Sequence, residues 1–510
     1  MSFIRKYKKG KYTYLAEVKS YRKHGKIKQK FIRYIGREVD GETVLSGSIN
    51  RAEITKVSVF GPLLVLHEIA DQINLRSLLG DYGEVILAMV YAHCLQPKSL
   101  NKLQHWFSKT DLNYILNLEK VTEKILLSAL DSLNVEKSKY LQDKIFENVK
   151  QNFELENKGV VYDVTNTYFH GNKCLIAKRG HNKEKRNKPQ IQIGLAVTKP
   201  EAIPLFHKVF DGNIGDSRTL TDVLNNLKEN EFEDNIIVWD KGSQSQNNVK
   251  TAKELGFEVI CGLALNNRLK KDVDKIYSNK KFDSFKNRIK LQNSILYVEK
   301  KEYLLQEKKS ESKGNIYICL NKTKKETLRE RRYTKIEEAL QQLEKNKEID
   351  EELKKYFHQN NEVNEKQIEQ AEKYGGLSVI FSTKNLTKKE VVKIYFGKDL
   401  VEKAFRTLKG ITQIRPVRHW LEERVKAHIF ICYLSYLLLS LLQLKLKKTE
   451  FNAINALEEL DTMYKVHIKD PKTKNTFTKT VALTKKQEDI LKAVNKNLLK
   501  ECSDQKTLQT

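Results

Sequence analysis

Two aspartates follow apolar runs that read as buried strands, Asp163 in VVYDVTNTYF and Asp240 in NIIVWDKG. Acids at the carboxyl ends of strands in α/β sheets lie where ligands bind, although each could equally cap the turn that follows. A third carboxylate, Glu402, stands in IYFGKDLVEKAFRTLKG. At 100° per residue Tyr395, Lys398 and Lys409 fall at about +20°, −40° and −20° from Glu402, so all four share one helical face. Val401, Phe405 and Leu408 form an apolar stripe centred roughly 90° away, suited to packing on a sheet. The helix then carries a carboxylate and two amines beside its core-facing seam; the plainer alternative is an exposed Lys398–Glu402 pair worth a few tenths of a kcal/mol. Gly397 is a point where the helix could begin, which would leave Tyr395 on the incoming segment.

Other residues carry weaker signals. His170, Cys174 and His181 have metal-like types but no fourth ligand at a suitable spacing. The run from Asp163 to Thr167 resembles an aspartyl-phosphate loop, but Thr165 stands where a second acid is needed. Ser243 and Ser245 read as helix N-caps, and Trp239 and Trp420 as core residues. Arg415-Pro416-Val417-Arg418-His419 is a candidate DNA contact.

The elements that must position these groups follow from pattern. Residues 11–22 and 27–34 are rich in Tyr, Val, Ile and Phe around a turn signal at Lys23–Lys26, which predicts a basic β-hairpin. Helical spacing from Phe60 to about Phe153 predicts an all-α region. Strand-like runs between about 159 and 262 alternate with helical stretches near 218–228 and 246–255, a mixed α/β pattern. Residues 263–375 are highly charged and read as an insertion, because the pattern resumes with LSVIFST and helices at 398–409 and about 421–446. The last 60 residues read as a polar, basic tail with one helical stretch, KKQEDILKAVNKNLL.

Composition narrows the class. The 510 residues predict about three domains, and 31% charged with 40% hydrophobic residues is globular rather than disordered. With 93 Lys and Arg against 65 acids the net charge is +28, which favours a polyanionic partner. Residues 1–37 hold 13 Lys or Arg against the single acid Glu17, a candidate nucleic-acid arm. Six isolated cysteines point to reduced thiols and a cytoplasmic protein. The first residues lack the apolar run of a secretion signal. The longest apolar run, Ile429–Leu442, is shorter than a membrane span, so a buried helix and no membrane partner are expected.

These motifs together resemble the DDE transposases of bacterial and archaeal insertion sequences, in the branch marked by Y-x2-R-x3-E-x6-K. Tyr395, Lys398, Glu402 and Lys409 match that signature at every spacing, with Lys where Arg is usual. The similarity extends to YDVTNTYF, RGHNKEKRNKPQIQIGLAV, PLFHKVFDGNIGDSRTL, WDKGSQSQNN, IRPVRHWLEERVKAHIFICYLSYLLL and the N-terminal YLAEVKSYRKHGKIKQKFIRYIGR. It covers nearly 1–446 and leaves the tail unmatched.

The resemblance implies an α/β fold: a ribonuclease-H-like catalytic core at 158–262 and 376–446, interrupted by a largely β insertion at 263–375. A basic β-hairpin DNA-binding arm (1–58) and a helical DNA-binding region (59–157) precede it, and a basic tail (447–510) follows. Asp163, Asp240 and Glu402 become the metal-binding catalytic triad, with two Mg2+ ions as cofactor and Mn2+ as a substitute. Three carboxylates suit this chemistry because paired divalent ions clamp the attacking and leaving oxygens of a phosphodiester. Water first frees a 3′-hydroxyl at the element end, and that hydroxyl attacks target DNA. Lys398 and Lys409 bind flanking phosphates, Tyr395 contacts a displaced nucleotide or packs on the sheet, and Arg415 and Arg418 touch DNA. The implied partners are double-stranded DNA at element ends and target, and a second copy of the chain in a synaptic homodimer. A catalytically inactive DNA-binding regulator, or a nuclease that cuts without joining, would share much of this sequence.

Overall fold

A computed structural model describes the chain except residues 1, 11, 24–25, 40–41, 46–52, 157, 170–172, 181–187, 231–234, 244, 278–281, 292–293, 308–309, 346, 470–475, 504–506 and 509–510. The chain forms two compact units, one of residues 1–69, 102–121 and 445–510, the other of residues 70–101 and 122–444.

The first unit opens with β1 (Ser2–Lys9), β2 (Tyr12–Lys23), β3 (Lys26–Val39) and β4 (Glu42–Leu45), an antiparallel sheet in that order. β2 and β3 pair around the expected turn, whose His24 and Gly25 lie outside the described residues. Leu15, Ala16 and Val18 are buried, whereas Phe3, Ile4, Ile27, Phe31 and Ile32 stand exposed among lysines and arginines. β5 (Glu53–Val59) follows.

Helices then run as α1 (Gly61–Gln72), α2 (Leu75–Leu79), α3 (Gly83–Leu95), α4 (Leu100–Ser108), α5 (Leu112–Ile115), α6 (Glu123–Asp131) and α7 (Val135–Asn152). Thr122 and Asn134 cap α6 and α7 by accepting from Ile125 N and Lys137 N, which satisfies orphan amides of each first turn.

The second unit is built on a nine-stranded sheet. Its first strands are β6 (Gly159–Tyr168), β7 (Gln190–Lys199) and β8 (Pro204–Asp211), then β9 (Ile236–Trp239) and β10 (Glu258–Leu263). α8 (Asp216–Glu229) and α9 (Gln246–Glu254) connect β8 to β9 and β9 to β10. β6, β7 and β8 are antiparallel neighbours, whereas β6–β9 and β9–β10 pair in parallel. β7 reads QIQIGLAVTK and is buried over nine of its ten residues, the near-continuous apolar run of a strand covered on both faces.

Segment 263–375 differs from the largely β insertion expected. It holds α10 (Asn267–Tyr277), β11 (Arg288–Lys290), β12 (Ile295–Glu307) and β13 (Ser310–Leu320), then α11 (Lys322–Glu344), α12 (Glu351–Lys354) and α13 (Glu365–Lys373). Ile336, Tyr356 and Ile368 make a small helical core of their own. The strands extend the same sheet, because β13 pairs with β14 (Leu377–Ser382) and β14 pairs with β10. The full order is β11-β12-β13-β14-β10-β9-β6-β7-β8.

After β14 come α14 (Lys388–Phe396), α15 (Asp399–Gly410) and α16 (Glu422–Lys445). Leu75–Leu95 and Glu422–Lys448 are each long and apolar enough to cross a membrane by length and composition, and most of each is buried inside the protein. α16 packs by specific contacts: Tyr433 donates to Pro204 O and Leu205 O, Tyr436 to Ala202 O, and Ser435 to Val90 O.

His207 on β8 stacks on Phe430 and Tyr433 of α16, and its Nδ1 donates to Gln142 Oε1 at 2.8 Å. Burial pushes its imidazole from 6.5 down to about 3. An unfolded chain binds that proton where the folded chain does not, so stability falls as pH drops from about 6.5 to about 3. His207→Gln should flatten the dependence of denaturant stability on pH in that window, and an unchanged slope would show that the folded His207 titrates normally.

The tail is more ordered than its composition suggests. α17 (Ala453–Leu460), β15 (Tyr464–Lys469), β16 (Thr476–Thr480), α18 (Lys485–Val494), α19 (Leu498–Ser503) and β17 (Thr507–Leu508) follow α16. β17, β16, β15 and β5 form a four-stranded sheet within the first unit, where the sequence had suggested a single helix. Beneath it the fully buried Asp111 carboxylate meets Ser58 Oγ, His467 Nε2 and Lys465 Nζ, each at 3.0 Å.

Candidate active site

Strand register places the first two acids. β6 and β9 pair in parallel with Val160 opposite Ile237, Val161 opposite Val238 and Tyr162 opposite Trp239, so Asp163 and Asp240 are the next residues on both chains. Alternation sends Tyr162 to the opposite side from Asp163, where its hydroxyl donates to Thr219 of α8 at 2.7 Å. Asp163 is half-buried and Asp240 sits just past the end of β9.

The helix expected to carry Tyr395, Lys398, Glu402 and Lys409 on one face is divided. α14 ends at Phe396, Gly397 follows, and Lys398 is the residue before α15, so Tyr395 belongs to α14 rather than to the face of Glu402. The break at Gly397 keeps Tyr395 in the site by another route. Its ring is buried and its hydroxyl donates to Asp240 Oδ1 at 3.1 Å. Gly262 on β10 makes room for it: a Cβ there would lie 2.3 Å from the Tyr395 hydroxyl oxygen.

Lys398 Nζ lies 2.8 Å from the same Asp240 oxygen and 4.6 Å from the Tyr395 ring centre. Burial opposes charge on Asp240, but Lys398, the Lys241 amide and Tyr395 outweigh it and hold the carboxyl below its ordinary range. Burial, with Asp240 beside it, pushes the Tyr395 phenol well above its own. Lys199, at the end of β7, donates to Ile394 O at 2.6 Å and so ties down the carboxyl end of α14; burial, only partly offset by Asp399, lowers its ammonium to about 8.

α15 lies against β6 and β7 with Val401, Ala404, Phe405 and Leu408 buried, as the apolar stripe predicts. Glu402 is exposed in its first turn, one turn beyond Lys398. Lys409, two turns further on the same face, donates to Thr165 Oγ1, and Thr165 shares a strand face with Asp163. The two ends of this helical face therefore reach the middle of β6, beside Asp163, and the end of β9 at Asp240.

Among the described residues the one set of three His, Cys or acidic donors within 4.8 Å of one another is His93, His428 and Cys432, so the three carboxylates lie further apart. Asp240 is engaged by Lys398 instead, and like charges separate without a cation between them. The donor set still fits a hard divalent ion, since all three residues offer carboxylate oxygens and Asp240 keeps a 38% exposed side chain.

Other candidates divide. Arg415 and Arg418 are exposed on the segment after α15. Trp239 is fully buried, whereas Trp420 is 58% exposed, because it stands in the irregular segment before α16 and not on a packed face. Ser245 caps α9 by accepting from Asn248 N. His170 and His181 lie outside the described residues. Thr165 was legible as the residue two beyond Asp163; Lys199 and Gly262 have no local signal. Asp216, the first residue of α8, was also missed: its Oδ2 would lie 3.2 Å from a Cβ on Gly242, within the loop after Asp240.

Comparison with known proteins bears on this arrangement. No curated protein matches the chain. A solved structure, the cryo-EM synaptic complex of piggyBac transposase with hairpin DNA, aligns at 12% identity and a TM-score of 0.35, over 79% of this chain and 69% of that one. The transposase DDE domain profile matches residues 154–438. That span holds all three acids and more than half of the sequence, and the chain belongs to the transposase DDE domain family.

Proposed function

We propose that this transposase-family protein binds the ends of its own insertion sequence, cleaves them by metal-dependent hydrolysis and joins the freed 3′-hydroxyl to target DNA. The observation that supports this reading is the parallel register of β6 and β9, which makes Asp163 and Asp240 equivalent positions on adjacent strands, together with the ion pair from Lys398, one turn before Glu402, to Asp240. The order β8-β7-β6-β9-β10, three antiparallel strands followed by two parallel ones, supports a ribonuclease-H-like core.

Asp163, Asp240 and Glu402 would hold the divalent ions, Mg2+ by preference with Mn2+ as a substitute. Such ions supply Lewis-acid stabilisation of the phosphate and a lowered pKa for the attacking water. The chain's own groups do the rest. Tyr395 and the Lys241 amide fix the Asp240 carboxylate by hydrogen bonds. Lys398, an ammonium that needs no fork geometry, is free to exchange Asp240 for a DNA phosphate. Lys409 lies along the same helix face to hold a second phosphate. Arg415, Arg418 and the basic N-terminal sheet add backbone contacts, and joining two ends calls for two copies of the chain.

The test is incubation of the purified protein with a duplex carrying the element end, a target plasmid and Mg2+. Cleavage at the end followed by a covalently joined product is expected. Cleavage without joining would reduce the activity to hydrolysis, and binding without cleavage in either Mg2+ or Mn2+ would leave a DNA-binding regulator.

A further inference from the structure

Away from the carboxylates, a second group of ligand-type side chains converges in the same unit. His428 and Cys432 occupy one face of α16 at i and i+4, and His93 reaches them from α3. Cys432 Sγ lies 3.8 Å from His428 Nε2 and 3.8 Å from His93 Nδ1. Bonds of about 2.05 Å to nitrogen and 2.3 Å to sulfur at a tetrahedral angle set N and S about 3.6 Å apart. Both contacts thus match the edge of a zinc tetrahedron. A cleft of about 400 Å³, bordered by His93, His428, Arg418, His419 and Trp420, opens beside the cluster.

We propose that His93, His428 and Cys432 hold a zinc ion between α3 and α16, with water from the cleft in the fourth position that three protein ligands leave open. Two imidazoles and a thiolate are a borderline-soft set that selects Zn2+ over Mg2+. Burial holds both imidazoles below their ordinary range. Burial raises the Cys432 thiol, so binding releases one proton from sulfur to solvent. His93 Nδ1 now donates to Thr412 O at 2.6 Å; to ligate, the ring passes to the tautomer protonated on Nε2, which frees the Nδ1 lone pair for the metal. His428 keeps its hydrogen bond to the Ile414 backbone, the outer contact that orients a metal-bound imidazole. The ion would pin α3 to α16 and, through Ile414, steady the segment carrying Arg415 and Arg418.

The test uses the full chain, reduced and stripped of metal, titrated with Co2+ as a spectroscopic substitute. One Co2+ per chain should bind with a thiolate-to-metal charge-transfer band and the strong visible bands of a tetrahedral site; Zn2+ should bleach both, and excess Mg2+ should not. Cys432→Ser should lose the charge-transfer band, and Zn2+ should raise the melting temperature of the wild type but not of this variant. Should Cys432→Ser fail to fold, His93→Gln carries the test, since it should lose the visible tetrahedral bands. Absence of the charge-transfer band in the wild type, or its survival in Cys432→Ser, would overturn the site. No readout involves DNA cleavage, so failure here is distinct from failure of the transposase reading.

Discussion

Asp240→Asn should abolish cleavage of an end-bearing duplex while leaving the fold and its DNA affinity nearly intact. The amide keeps the carboxylate's shape, and its oxygen still accepts from Tyr395 and the Lys241 amide. What disappears is a charge. Lys398 loses its partner and, on the proposed reading, a divalent ion would lose a ligand, so the rate should fall by roughly 100- to 1,000-fold or more, the scale of losing one preorganised electrostatic group. The partly exposed ion pair contributes only about 1 kcal/mol or less to stability, so the melt should barely move. Asp163→Asn and Glu402→Gln should match it, Glu402 with the smallest effect on stability because it is exposed. A single-turnover cleavage assay beside thermal melts reads both quantities. Near-normal cutting by any of the three would remove that residue from the site.

The second large effect concerns the tail. Deleting residues 464–510 removes β15, the strand paired with β5, and takes away Lys465 and His467 from around the fully buried Asp111. Ser58 still donates to that carboxylate, but taking the cationic partner from a buried acid costs about 3–5 kcal/mol, before the lost strand pairing is counted. Hydrogen exchange along residues 53–59 should therefore rise to the rate of an unprotected strand. Lys465→Met, which keeps the chain length, should show a smaller rise in the same residues. Unchanged protection of β5 in the deletion would mean that the tail is dispensable for this unit.

These cases show what was legible in the sequence. Asp163 and Asp240 were readable because each ends an apolar run, and a strand announces itself by local composition. The stripe Val401, Phe405 and Leu408 was readable for the same reason. The split at Gly397 was visible as a possibility but not decidable, because Tyr395 is held by Asp240, 155 residues away. Within the tail, Tyr464, Val466 and Ile468 alternate with Lys465, His467 and Lys469, yet the surrounding lysines hid a strand whose partner, β5, stands some four hundred residues earlier. His428 and Cys432 share a helix face at a readable spacing, whereas His93 joins them only through packing. Gly262 carries no signal of its own, since its role is the space it leaves for another residue's ring.

The placement of β14 has a consequence for how the protein is made. β10 is complete at Leu263, but the strand that covers its outer side begins at Leu377. Until then one flank of β10 exposes unpaired amides and carbonyls, the template on which chains aggregate. At roughly 5–20 residues per second a ribosome needs about 6 to 23 s to deliver the missing strand. The half-made chain is thus most vulnerable while segment 264–376 is being synthesised, and conditions that slow translation there should cost soluble yield even though the finished protein is unchanged.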